Sequence, residues 1–347
     1  MNYLMIFYII GWILVVEAAL MVPSGIVAII YGESCGWVFA VTIALCLIIG
    51  FPLIRRQPEN KVFYIREGSV TVALSWIIMS IMGALPFVLS GTIPHPVDAL
   101  FETVSGFTTT GSSILASVEE LPRCILFWRS FTHWIGGMGV LVFLLCLLPL
   151  AGSGYHMNLM RAESPGPTVS KLVPKVRATA KMLYGLYIFL SISQLVLLLI
   201  GQMPLFDALC VTFGTAGTGG FGIKNGSMGS YTIYQQAVTT IFMILFGVNF
   251  NVYFLLYMKK PKEAFRCEEA RWYLGIIGVS TVIITLFIRD SFENIALAFH
   301  HAAFQVGTII TTTGFATVDF NLWHALPKTV LVLLMLIGSC AGSTGGG

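Results

Sequence analysis

The sequence predicts an all-α integral membrane protein built from helix, re-entrant loop, helix units, with two extra helices at the N-terminus. Three observations carry this. First, 56% of the 347 residues are hydrophobic and only 10% are charged, with a mean hydropathy of +0.87. A soluble domain carries about 25% charged residues, so soluble globular, disordered and fibrous classes are excluded. Second, long apolar segments recur along the whole chain. Third, one short pattern occurs three times, each copy between two of those segments. The copies run from Asp98 to Gly111, from Asp207 to Gly220 and from His301 to Gly314, and the closing Gly always lies 13 positions after the opening residue. Each reads as a polar residue, Ala, a mostly apolar run, then small Thr and Gly residues.

Taken in order, 3–31 is an apolar helix interrupted by Glu17 and Pro23. It lacks a basic leader and a small-residue cleavage site, so it reads as a retained span rather than a signal peptide. Segment 36–54 is the second helix, after a tight turn. Segment 69–91 is a span, and 98–107 a half-helix with Asp98 expected at its N-cap. The turn 108–113 follows, 114–124 rises back, and 125–150 is the outgoing span. A polar loop occupies 151–181. Then come a span at 182–201, a second half-helix at 207–216, its turn at 217–222 and a single span at 231–258. Segment 272–289 is a span, 293–310 the third half-helix and 311–316 its turn. A last span begins at 325–337. The organisation expected is a two-helix leader (1–54) and repeats at 55–150, 151–258 and 259–347, the third incomplete.

A half-helix of about 10 residues rises about 15 Å, half the hydrocarbon core of a bilayer. Backbone that leaves helical geometry there must be buried in protein or line a wet cavity. The Thr residues bring carbonyls and hydroxyls without charge, and Gly frees φ, so such turns suit a dehydrated cation. Loops 55–66, 161–181 and 259–271 hold 14 of the 19 Lys and Arg residues. They are expected on the cytoplasmic side, together with the N-terminus. The half-helices then dip from outside, and their C-terminal ends bring partial negative charge to the centre. An anion site would use half-helix N-termini instead.

The residues Phe107-Thr-Thr-Thr-Gly-Ser112, Thr218-Gly-Gly-Phe221, Thr311-Thr-Thr-Gly-Phe315 and the tail Gly338-Ser-Cys-Ala-Gly-Ser-Thr-Gly-Gly-Gly347 carry a resemblance to the Trk/Ktr/HKT superfamily of potassium uptake proteins, nearest the bacterial TrkH/KtrB type. The resemblance spans nearly the whole chain. It implies four repeats around a central pore, with one filter Gly per turn. Carried over by position, the potassium filter would comprise Thr109, Thr110, Gly111, Thr218, Gly219, Gly220, Thr312, Thr313 and Gly314. A gate loop would comprise Gly338, Ser339, Cys340, Ala341, Gly342, Ser343, Thr344, Gly345, Gly346 and Gly347. The residues alone leave that tail as either a mid-membrane helix break or an appended tail; the resemblance favours the first. It also implies a homodimer, a cytoplasmic nucleotide-binding regulatory subunit of the TrkA/KtrA type, and location in the cytoplasmic (inner) membrane. Only three turns are present, so the chain reads as part of a longer protein that would not conduct selectively alone.

Other residues were weighed singly. Glu102, inside the first half-helix, is an intramembrane acid and so a functional candidate; structural support is the favoured role and Arg129 the partner. Asp98 and Asp207 read as helix caps or as cation attractors at the mouth. His300 and His301 read as packing residues, since adjacent helical residues do not face each other. Asn225-Gly-Ser227 fits a glycosylation acceptor, a pattern short enough that it usually arises by chance. Seven scattered Cys give neither a zinc spacing nor a disulfide framework. There is no nucleophile–base pair or phosphate loop, so no enzyme, organic cofactor or nucleic-acid partner is expected; the partners are lipid and protein. The function expected is potassium uptake through backbone carbonyls. The alternative is a secondary transporter for another cation or a small organic substrate, which would show charged groups at broken helices.

Overall fold

The computed structural model describes residues 2–58, 64–137, 139 and 176–346. The described elements are helical: α1 Tyr3–Tyr31, α2 Trp37–Arg55, α3 Ile65–Leu89, α4 Pro96–Phe107, α5 Arg123–Gly137, α6 Val176–Ile200, α7 Leu205–Ala216, α8 Ile233–Phe246, α9 Phe250–Tyr257, α10 Pro261–Phe265, α11 Glu268–Ile288, α12 Ile295–Ile310 and α13 Ala325–Ile337. Five of the described helical segments are long and apolar enough to cross a membrane, six if α8 and α9 count as one bent span. Large apolar side chains such as Ile48 and Phe189 stand exposed, as a lipid-facing surface requires.

The chain divides into two compact units. The first holds Met1–Thr108, Ser112–Ala116 and Glu120–Tyr184. Here Asn2 caps α1 by accepting the Met5 N–H, and Gly32, at φ 66°, ends it in the left-handed region. Neither Glu17 nor Pro23 interrupts α1, against the sequence expectation. Glu17 is fully buried, so the carboxyl faces protein rather than lipid. The α1–α2 pair touches backbone to backbone. A Cβ on Gly11 would come within 3.0 Å of the Gly50 carbonyl oxygen, and one on Gly50 within 3.0 Å of that of Gly11. Small residues permit such crossings where hydrophobicity cannot drive helices together. Half-helix α4 is seated against α3 through Gly83, where a Cβ would collide with Phe107 and Thr103. The Trp128 indole of α5 donates to the Gly83 carbonyl at 3.0 Å and meets the Phe107 ring edge-on at 6.1 Å.

The second unit holds Thr109–Gly111, Ser117–Glu119 and Gly185–Gly347. Helices α11, α12 and α13 share a core with Tyr273, Ile284, Val306, Ile310, Leu331 and Cys340. The expected single span over 231–258 is instead two helices bent by 86°. The break has a cause in space. Gly247 caps α8, and a side chain there would strike the Tyr273 hydroxyl and Thr311. The chain turns away because the segment after α13 fills the room below.

Other boundaries also shift. Asp98 does not cap α4: His95 is the N-cap, Pro96 opens the helix and Asp98 lies in its first turn. Asp207 likewise sits in the first turn of α7, after Pro204 as N-cap. Proline at N1 loses no hydrogen bond, and an acid one turn in still meets the positive end of the dipole. Residues 112–122 return without helical structure. Helix α6 begins at Val176, so Arg177 and Lys181 of the expected loop lie on a helix. The rest of the 125–150 span beyond Gly139, most of loop 151–181, and Lys61 lie outside the described residues.

A Gly11→Ile variant should lose about 1–3 kcal/mol of stability, the usual cost of overpacking. It should melt at lower temperature in detergent, while Gly275→Ala, with open space around it, should not.

Candidate functional site: three Thr/Gly turns and a glycine-rich loop

The three turns adopt one conformation. In each, a Thr and the Gly two positions later have positive φ: Thr109 55° and Gly111 75°, Thr218 52° and Gly220 73°, Thr312 59° and Gly314 87°. A β-branched residue there is an outlier costing on the order of 1–3 kcal/mol. Its threefold recurrence marks a constraint rather than an accident. The half-helices supply the restraint. Gly219 and Gly220 donate back to the Gly214 carbonyl at 3.0 and 3.3 Å, and Thr313 and Gly314 to the Thr308 carbonyl at 2.9 and 3.3 Å. The N–H groups of the second and third turns are thus used locally.

Within the second unit the turns meet in sequence. A Cβ on Gly111 would land on the Gly219 carbonyl oxygen, and one on Gly220 on that of Thr313. Around Gly314 no described atom lies within 4 Å of the Cβ position. Thr109, Thr110, Gly111, Thr218, Gly219, Gly220, Thr312, Thr313 and Gly314 are therefore gathered in one unit, and two of the glycines admit no side chain.

The return segments lace the turns together. Asn225 accepts from the Val118 N–H at 2.9 Å, donates through Nδ2 to Ser117 Oγ at 3.1 Å, and gives its own N–H to Glu119. Its amide is committed to this lacing, which explains the Asn-Gly-Ser pattern without a glycan. Ser227 Oγ accepts from the Ala316 N–H, and the Met228 N–H donates to the Ala316 carbonyl. His300 pairs with Gln236 at 2.8 Å and His301 with Thr317 at 3.0 Å, so the histidines are packing groups. Asp207 accepts from the Tyr231 hydroxyl at 3.0 Å, with Lys224 Nζ at 3.8 Å. Burial, and then the adjacent carboxylate, push the Tyr231 phenol well above its ordinary pKa, so it remains a donor.

In the first unit, Glu102 and Arg129 form the expected pair, at 2.6 Å and both buried. Glu102 also accepts from Ser113 Oγ at 2.9 Å and from the Ile114 N–H at 3.1 Å. It thereby pins the chain just after the first turn. The corresponding Val211 cannot do this. Before the second turn Gln194 on α6 instead donates to Thr215 at 2.9 Å.

The glycine-rich segment is an ordered loop. After α13, Gly338 turns at φ 70° and Gly342 at φ 75°. Cys340 donates to the Gly247 carbonyl, Thr344 to that of Phe246, and Phe250 donates to that of Gly342. The loop so fills the bend between α8 and α9. It also reaches two turns: Thr218 Oγ1 lies 3.0 Å from the Thr344 carbonyl, and Gly346 donates to Thr312 Oγ1 at 3.1 Å. At its other edge Glu269, in the first turn of α11, accepts from the Ala341 N–H at 2.6 Å and from Asn249 Nδ2 at 2.9 Å. Glu269 and Asn249 escaped sequence reasoning, since one surface Glu beside another carries no signal. Gly347 lies outside the described residues.

The family model described as TrkH, cation transport protein, matches residues 36–347. The chain belongs to that family. It is 35% identical to the Trk system potassium uptake protein TrkH of Salmonella typhimurium, covering 100% of this chain and 73% of the relative. It is 32% identical to the Trk system potassium uptake protein TrkG of Escherichia coli, covering 97% and 70%. The crystal structure of the potassium transporter TrkH from Vibrio parahaemolyticus matches with a TM-score of 0.87 at 29% identity, covering 100% of this chain and 72% of that one. The chain is a multi-pass membrane protein of a transporter family.

Replacing Glu102 by Ala should destabilise the protein by about 3–5 kcal/mol, because it strands Arg129 in a buried site. Glu102→Gln with Arg129→Gln should recover part of that loss. Thermal unfolding of the singles and the double measures the coupling.

Proposed function

We propose that the chain takes up potassium across the cytoplasmic membrane, the ion passing a filter of backbone carbonyls. The observation that carries this is the succession of turns, with Gly111 against the Gly219 carbonyl and Gly220 against that of Thr313. Neutral oxygens held by local hydrogen bonds replace hydration water without binding a cation irreversibly. The curated relatives named above are potassium uptake proteins, which supports potassium as the ion. The ion is cargo, and no organic cofactor is required. The charged broken-helix site of a secondary transporter for an organic substrate has no counterpart in the turns, whose residues are uncharged.

The filter in this reading comprises Thr109–Gly111, Thr218–Gly220 and Thr312–Gly314, with further carbonyls facing the open side of Gly314. The three repeats after the two-helix leader each contribute one turn. Loop 338–347 is the gate: it hangs from Thr218 and Thr312 and moves at small steric cost because glycine lacks Cβ. Glu269 and Asn249 hold it shut. The N-terminus and the basic loops lie in the cytoplasm, where they offer a dimer and a nucleotide-binding regulatory subunit of the TrkA/KtrA type an anchoring face.

In the full-length protein, Gly111→Asp or Gly314→Asp should lower potassium uptake roughly tenfold or more, or abolish preference over sodium. Flux in proteoliposomes measures this, and an unchanged preference in both variants defeats the filter assignment. Glu269→Ala should raise basal potassium flux severalfold by loosening the loop. A properly folded Glu269→Ala protein with wild-type or lower flux argues against the latch.

A further inference from the structure

The α1–α2 turn and the start of α5 bring two cysteines together across 89 positions of sequence. Cys35 Sγ and Cys124 Sγ lie 3.3 Å apart. Glu33 fixes the approach: its carboxylate oxygens accept from the N–H of Arg123 at 2.6 Å and of Cys124 at 2.9 Å. The Arg123 guanidinium in turn sits 4.2 Å over the Tyr31 ring. The N-terminus of α5 is therefore tied to the α1–α2 turn by three residues besides the thiols, and the sulfurs have little freedom to separate. Cys124 is fully buried, whereas Cys35 is half-buried and open to a reagent.

We infer that Cys35 and Cys124 form a disulfide that staples the leader hairpin to α5 on the outer face of the membrane. Two alternatives fit less well. Glu33, Cys35 and Cys124 together resemble a metal-ligand set. Both carboxylate oxygens of Glu33 already accept N–H groups at the start of α5, which leaves two thiols rather than the four ligands a closed tetrahedral zinc site takes. A thiol–thiol hydrogen bond suits the distance but gives no reason for placing two thiols at this end of the unit. The compartment supplies one. With the basic loops inside, this turn faces the oxidising side, where paired thiols do not stay reduced. The inference rests on that orientation.

The chemistry balances with an external disulfide as oxidant. Cys35, as thiolate, attacks a sulfur of the oxidant and expels one thiol. Cys124 then loses its proton to water and attacks the Cys35 sulfur of the mixed disulfide, expelling the second thiol. Two S–H bonds are lost, one S–S bond forms, and the oxidant is reduced by two electrons to two thiols. The sulfurs close to about 2.05 Å.

The test uses the full-length protein in native membranes, with oxidised glutathione as the disulfide. Peptide mass spectrometry without reductant should show a linked pair joining residues 35 and 124. The link should vanish with reductant and in Cys35→Ser, and reduction should lower the melting temperature of the wild type but not of Cys35→Ser. A membrane-impermeant maleimide on the Cys124→Ser variant reads orientation separately. If Cys35 reacts from outside yet no link forms in the oxidised wild type, the disulfide is overturned and the orientation stands. If Cys35 reacts only after the membrane is opened, the orientation and the disulfide both fall. If the purified protein carries zinc and both thiols become alkylated only after chelation, the site is a metal site instead.

Discussion

A half-helix that stops inside a bilayer leaves polar backbone where no water can reach it. The fold is a set of answers to that constraint. In the second and third turns the first N–H groups past the helix fold back on carbonyls of the helix itself, which forces a Thr and then a Gly into the left-handed region. The same local economy lets the chain reverse three times without a charged side chain in the turns. Charge would be costly at that depth, and none is needed.

The surroundings of the turns differ, although the turns do not. The first is held by a buried ion pair, the second by a glutamine bonded to a threonine, and the return segments by Asn225 and Ser227. Burying Glu102 and Arg129 is tolerable because they pair with each other and Glu102 also accepts from Ser113 and the Ile114 N–H. The repeats therefore share a conformation and vary in the means of enforcing it.

Much of the architecture was legible in the sequence because a bilayer narrows the choices. Long apolar runs had to be spans, and the threefold Asp/His-to-Gly spacing had to be one motif. The rule that intramembrane charges pair pointed from Glu102 to Arg129, and the structure places them together. The failures are equally physical. Proline at position 96 displaced the cap from Asp98, because proline takes the first helical position. The bend at Gly247 was missed, since residues 231–258 hold neither a charge nor a proline and the loop that occupies the bend lies far along the chain, at Cys340 and Thr344. The pairing of Cys35 with Cys124 leaves no local spacing to read. Glu269 gained its role only through Ala341 and Asn249, neither of them near it in sequence.

The glycine-rich loop does not merely lie beneath the turns but shares hydroxyls with them. Thr218 and Thr312 each hold a strained backbone angle, and each touches the loop through its side chain. Any displacement of the loop removes one brace from two of the three reversals at once. The loop and two of the three reversals are in this sense a single mechanical object, and the backbone angles of the reversals depend on where the loop sits.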